Sequence, residues 1–176
     1  MRRIVVATAA LLAATPLAAQ TVPAAKVRFI HAGALLAKPG EAPRGPSTIV
    51  VRDGKVAEVR DGYAAPEAGA ELIDLKDRFV MPGLVDMHVH FWGIGGDPMR
   101  NRLTALNRDD GDNMMYAIDN ARVTLEAGFT TVRDLGGDAR GMRALREGIE
   151  RGTVAGPTIV NAGNPISVSG GHGDPT

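Results

Sequence analysis

The chain contains no cysteine, which excludes disulfide stapling, a thiolate metal centre and a thiol nucleophile. It also carries no net charge: 20 basic residues stand against 20 acidic ones, interspersed along the sequence. Without a basic stripe or patch, no nucleic-acid partner is expected. No long apolar run is present either. The most apolar stretch, residues 4–14, follows Arg2 and Arg3 and leads into Thr15-Pro16-Leu17-Ala18-Ala19-Gln20. It falls short of the roughly 20 apolar residues a membrane span needs, and it has the basic, apolar and small-residue parts of a secretory signal. The reading is a signal peptide over residues 1–19, cleaved near Ala19, and an exported product, periplasmic or secreted, with no membrane partner after cleavage. Loss of Arg2 and Arg3 leaves 18 basic against 20 acidic residues, too even a balance to imply a broad electrostatic partner. With no amphipathic or basic stretch, a lipid-binding module is disfavoured.

What is present divides at Met81-Pro82-Gly83. Before it, from residue 20 to 80, short β-type runs at 26–31, 35–37, 48–52, 55–60 and 71–75 are separated by turn signals. The runs around Asp53-Gly54 form a hairpin, because that dipeptide suits the positive-φ positions of a two-residue turn. This part is expected to be a small β-rich, sandwich-like domain. From residue 81 to 176 the texture changes. An apolar strand at 84–90 is expected to be buried on both faces, as in parallel sheets. A glycine-rich loop at 91–97 precedes a helix over about 112–127, with Met115, Ile118, Ala121, Val123 and Leu125 as its apolar positions and Gly128 as its stop. A strand at 129–134, a second helix opening at Asp138 or Ala139 with Met142, Leu145 and Ile149 on its apolar face, and a strand at 157–162 follow. Strand, helix, strand, helix, strand implies right-handed βαβ units on a parallel sheet, hence an α/β fold.

The chemistry concentrates in Val85-Asp86-Met87-His88-Val89-His90. In a regular strand alternate side chains share a face, so Asp86, His88 and His90 are expected together. Imidazole is the commonest metal ligand, and His88 and His90 make a two-donor grip that other residues must complete. The alternative is two polar residues on a half-exposed strand, disfavoured by the apolar neighbours, which would leave the imidazoles unsatisfied. A cupin-type barrel also uses paired histidines, but it wants glycine at position 82 and glutamate at 94 or 95, where this chain has Pro82, Ile94 and Gly95. Asp86 is either an acceptor that fixes a histidine tautomer or a structural hydrogen-bonding group near the turn. Arg133 and Asp134, at the end of the second parallel strand, are either a local ion pair or helix cap, or groups that position substrate or a loop at the strand ends. His172, among Gly170, Gly171 and Gly173, is either solvent exposed or poised over a ligand. His31 stands alone and reads as structural or exposed. The glycines at 93–96 and 136–137 lack phosphate-loop spacing.

Taken in order, the residues from Pro82 to His90 resemble the first barrel strand of the amidohydrolase superfamily. The hairpin at Asp53-Gly54-Lys55-Val56 and residues 72–80 resemble the small β domain that precedes that barrel. The segment from Ala121 to Gly137, containing Gly128-Phe129-Thr130-Thr131-Val132-Arg133-Asp134, is similar to the Xaa-Pro dipeptidase-like and imidazolonepropionase-like branch, as is Ser169-Gly170-Gly171-His172-Gly173-Asp174. The resemblance implies a (β/α)8 barrel of which this chain holds about three βα units. It further implies a metal-dependent hydrolase acting on an amide or peptide-like C–N bond of a small or dipeptide-like substrate. The expected cofactor is a divalent metal, zinc first, as one or two ions in a full-length enzyme. The family's lysine, two further histidines and catalytic aspartate are expected beyond Thr176, so the general base has no candidate here. A full barrel needs roughly 200 residues or more; this chain is therefore expected to be the N-terminal part of a longer enzyme, inactive by itself. The alternative is a non-catalytic, metal-binding or partner-dependent exported fragment.

Overall fold

The Asp53-Gly54 turn has positive φ at both residues, 49° and 77°, the geometry that lets two twisted strands close on a two-residue loop. In the computed structural model, which describes residues 26–93, 99, 103–104 and 107–171, this turn joins β2 (Ser47–Arg52) to β3 (Lys55–Asp61). Residues 1–19 and His172 lie outside the described set.

The described residues form two compact units. In the first, β1 (Val27–Leu35) pairs antiparallel with β2 and parallel with β4 (Glu71–Val80), giving the order β3-β2-β1-β4. Ile49 packs with Ala32 and Leu35 on one face of this sheet, while Val50 and its partner Phe29 are buried on the other. Two expectations are corrected. Leu35 ends β1 and opens no strand of its own, and β4 runs on to Val80 by continuing beside β1 past an irregularity at Ala32–Ala34. Among the described residues this unit holds one four-stranded sheet.

The second unit alternates as expected: β5 (Leu84–Val89), α1 (Asp110–Glu126), β6 (Phe129–Asp134), α2 (Ala139–Glu150) and β7 (Thr158–Asn161), with a parallel sheet in the order β5-β6-β7. Helix α1 starts two residues before the expected point because Asp109 and Asp112 form a reciprocal capping box. Asp138 caps α2 by accepting from the Gly141 N–H at 2.6 Å. One face of the sheet is covered by both helices through Phe91, Ala117, Ala121, Val132, Met142, Leu145 and Ile159. The small pair Ala117 and Ala121, four residues apart, sets the buried line of α1. Met115 and Val123, expected on that line, are 66% and 42% exposed. Strand β5 is not buried on both faces either. It is the edge of this sheet, and Val85 and Met87 are 55% and 53% exposed.

Candidate metal site

His88 sits on the last turn of pleat in β5 and His90 one residue past its end, at the carboxyl edge of a parallel sheet, where α/β folds place their sites. Both side chains are exposed. Their Nε2 atoms stand 3.3 Å apart and their rings are inclined at 60°. For a tetrahedral ion with metal–nitrogen bonds of about 2.0–2.1 Å, two ligand nitrogens sit about 3.3–3.4 Å apart. The pair thus already spans one edge of such a coordination shell. Two neutral imidazoles facing through Nε2 can share a proton as donor and acceptor, or both can turn lone pairs toward one cation. The residues therefore fit a divalent metal as two of its ligands. Among the described residues no third histidine or carboxylate joins them as a metal-holding group.

The strand carrying the pair is not regular. Its register against β6 shifts twice, between Leu84 and Val85, where β6 advances the additional residue, and between Asp86 and Val89, where β5 does, so the ladder opens and closes at the same offset and Met87 and His88 have no partner in it. At this point side chains bind both polar groups of the Met87–His88 peptide. The Asp86 carboxylate accepts the His88 N–H at 3.0 Å, and the Arg133 guanidinium donates through Nε to the Met87 carbonyl at 2.7 Å. Asp86 thus meets His88 through its backbone, which is the structural hydrogen-bonding role of its two readings, and not through the imidazole. Arg133 meets the strand, where an ion pair or cap was the other expectation.

Asp134 takes the loop-positioning role of the two sequence readings. It is 1% exposed and neither caps a helix nor pairs with a cation. Its Oδ2 accepts the Phe91 N–H at 2.8 Å and its Oδ1 the Gly136 N–H at 3.2 Å. Burial pushes its carboxyl above the ordinary carboxylate range, against the opposing pull of those two N–H groups and of nearby His90. Across the loop, Asn120 on α1 donates to the carbonyls of Phe91 and Gly93, both at 3.0 Å, and the Leu135 N–H donates to the Val89 carbonyl at 3.1 Å. The segment that follows the histidines is therefore held from β6 and from α1. A signal for Asp134 did exist in the sequence. It shares a strand face with Val132, and a carboxylate on a buried face must find donors. Asn120 had no such signal, since it sits on a polar turn of an amphipathic helix. His31, set apart from this site in the other unit, is 5% exposed and bonds through Nε2 to the Ala64 carbonyl at 2.9 Å, beside Tyr63.

The profile of the Amidohydrolase family matches residues 79–174. Ochratoxinase from Aspergillus niger is 29% identical over 161 residues, which are 90% of this chain and 32% of that protein. Dihydroorotase from Anaeromyxobacter sp. (strain K) is 34% identical over 107 residues, 60% of this chain and 21% of that protein. Among solved structures, a Xaa-Pro dipeptidase with bound methionine in its active site superposes with a TM-score of 0.76 at 33% identity, over 85% of this chain and 36% of its own. The chain spans about a third of the length of ochratoxinase and of the dipeptidase.

Proposed function

The chain belongs to the amidohydrolase family, and from that premise we propose that it is the N-terminal portion of an exported, metal-dependent hydrolase that cleaves a C–N bond in a small or dipeptide-like substrate. The observation that carries the proposal is the 3.3 Å convergence of the His88 and His90 Nε2 atoms at the carboxyl edge of a parallel sheet. His88 and His90 hold the metal, with zinc the first choice for a nitrogen-donor site. A divalent cation at this point supplies Lewis acidity, which acidifies water and polarises a carbonyl. The chain's own residues bind and orient it: the imidazoles present their lone pairs, and Asp86, Arg133, Asp134 and Asn120 hold the backbone on which those imidazoles stand.

The similarity to ochratoxinase, dihydroorotase and a dipeptidase supports a hydrolase of amide-type bonds. Three strands form an opening segment of a (β/α)8 barrel, preceded by the small β unit. The exposed Val85 and Met87 on the edge strand favour a second, linked reading: alone, this segment depends on a partner surface to cover β5, and it turns over no substrate. The test compares the 176-residue chain, supplied with zinc, with a product extended through the remaining barrel strands, on N-acyl amino acids and dipeptides. Hydrolysis by the extended product alone, abolished by His88→Ala or His90→Ala, is the expected result. Turnover by the 176-residue chain, or an extended product indifferent to both substitutions, would refute the proposal.

A further inference from the structure

We propose that the Arg133-Asp134 dipeptide is a two-sided positioning clamp for the histidine pair, gripping β5 before His88 and after His90 from the neighbouring strand. Successive residues of a strand point to opposite faces. Arg133 therefore stands on the exposed face and Asp134 in the interior. From the exposed face the Arg133 Nε holds the Met87 carbonyl at 2.7 Å, on the peptide that leads into His88. From the interior the Asp134 Oδ2 holds the Phe91 N–H at 2.8 Å, on the peptide that leaves His90.

The clamp is required by the irregular ladder. Between the pairs Asp86–Val132 and Val89–Asp134, Met87 and His88 have no partner on β6, so the ladder does not define the backbone there. Strand pairing by itself therefore no longer dictates where the two imidazoles point. Side-chain bonds to the flanking peptides restore that definition. They fix the backbone at both ends of the three-residue stretch from His88 to His90, whose two Nε2 atoms must stay near 3.3 Å. Asn120, bonded to the Phe91 and Gly93 carbonyls, steadies the far side of the same loop. Arg133 and Asp134 are positioning residues, acting on a metal through His88 and His90 and touching it themselves in no contact.

The inference rests on the reading of His88 and His90 as metal ligands, so its test separates the two. Zinc affinity of the 176-residue chain, fused to a soluble carrier, is measured by chelator competition, and the visible spectrum of bound cobalt(II) reports ligand geometry. His88→Ala and His90→Ala test the metal reading. Arg133→Met, Arg133→Lys and Asp134→Asn test the clamp, and Leu145→Ala, a core truncation beneath the helices, controls for loss of stability. The clamp predicts a loss of affinity on the order of tenfold in Arg133→Met and Asp134→Asn, with an altered cobalt(II) spectrum. Arg133→Lys, which keeps a donor for the Met87 carbonyl, recovers most of it, and Leu145→Ala stays within about twofold of the parent despite its lower thermal midpoint. Parental affinity and spectrum in Arg133→Met and Asp134→Asn would overturn the clamp and leave the ligand assignment standing. An equal loss in Leu145→Ala would also overturn it, as mere unfolding. No binding by the parent, or binding indifferent to both histidine substitutions, would overturn the ligand assignment and the clamp together.

Discussion

Gly136→Ala is a small change that reaches the candidate metal site. An ideal Cβ built on Gly136 lies 3.0 Å from Nδ1 and 3.1 Å from Cε1 of His90. Ordinary contact between such atoms begins near 3.5 Å, so the imidazole must retreat by about 0.4 Å. Nε2 is carried along on the far side of the same rigid ring. If the Nε2 separation of 3.3 Å changes by that amount, the angle at a metal with bonds of about 2.05 Å shifts by roughly 20°. The affinity cost is then roughly three- to tenfold, or ~1 kcal/mol. Stability should hardly change. Gly136 is not among the residues with positive φ, and a tolerated Gly→Ala gains about 0.4–1 kcal/mol from the unfolded chain, offsetting the close contact. The assay is zinc affinity by chelator competition beside a thermal melt of the same sample. Unchanged affinity, or a loss of affinity that only accompanies a collapsed melting transition, would refute the reasoning.

The other predictions concern the scaffold. At Gly83 a Cβ would come 2.1 Å from Oγ1 and 2.2 Å from Cγ2 of Thr130, so Gly83→Ala should cost about 1–3 kcal/mol in urea denaturation. Thr130→Ala should recover part of that loss in a double-mutant cycle; independent, additive effects would contradict the contact. Asp109→Ala removes the capping box of α1 and should cost ~1 kcal/mol, checked by the same denaturation series, with no change in the zinc affinity of the histidine pair.

How much of this could be read from the residues varied with the physics involved. Periodicity carried the second unit: Met142 and Leu145 repeat at helical spacing and are buried, and strand β6 occupies residues 129–134 as expected. The same periodicity misplaced Met115 and Val123. Apolar side chains mark a helix but do not say which of two adjoining stripes packs, and small Ala117 and Ala121 took the closer approach. Strand β4 was underestimated because Lys76, Asp77 and Arg78 look like a turn, whereas pairing with β1 resumes at Phe79. At the site, the meeting of His88 and His90 was legible from their spacing. The break in pairing beneath them was not, because register depends on the partner strand and leaves no mark in a pattern of alternation. With that break hidden, the bonds of Arg133 and Asp134 to the particular peptides flanking the histidines were not foreseen, and of the two readings of Asp86 the structural hydrogen bond is the one formed.

The central claim is that His88 and His90 jointly bind one divalent metal. X-ray absorption at the zinc edge of the zinc-loaded chain tests it most directly, by counting imidazole ligands. The account predicts two imidazole nitrogens at about 2.0 Å, falling to one in His88→Ala and to one in His90→Ala. A shell of oxygen ligands alone, or an imidazole count that neither substitution changes, would contradict it.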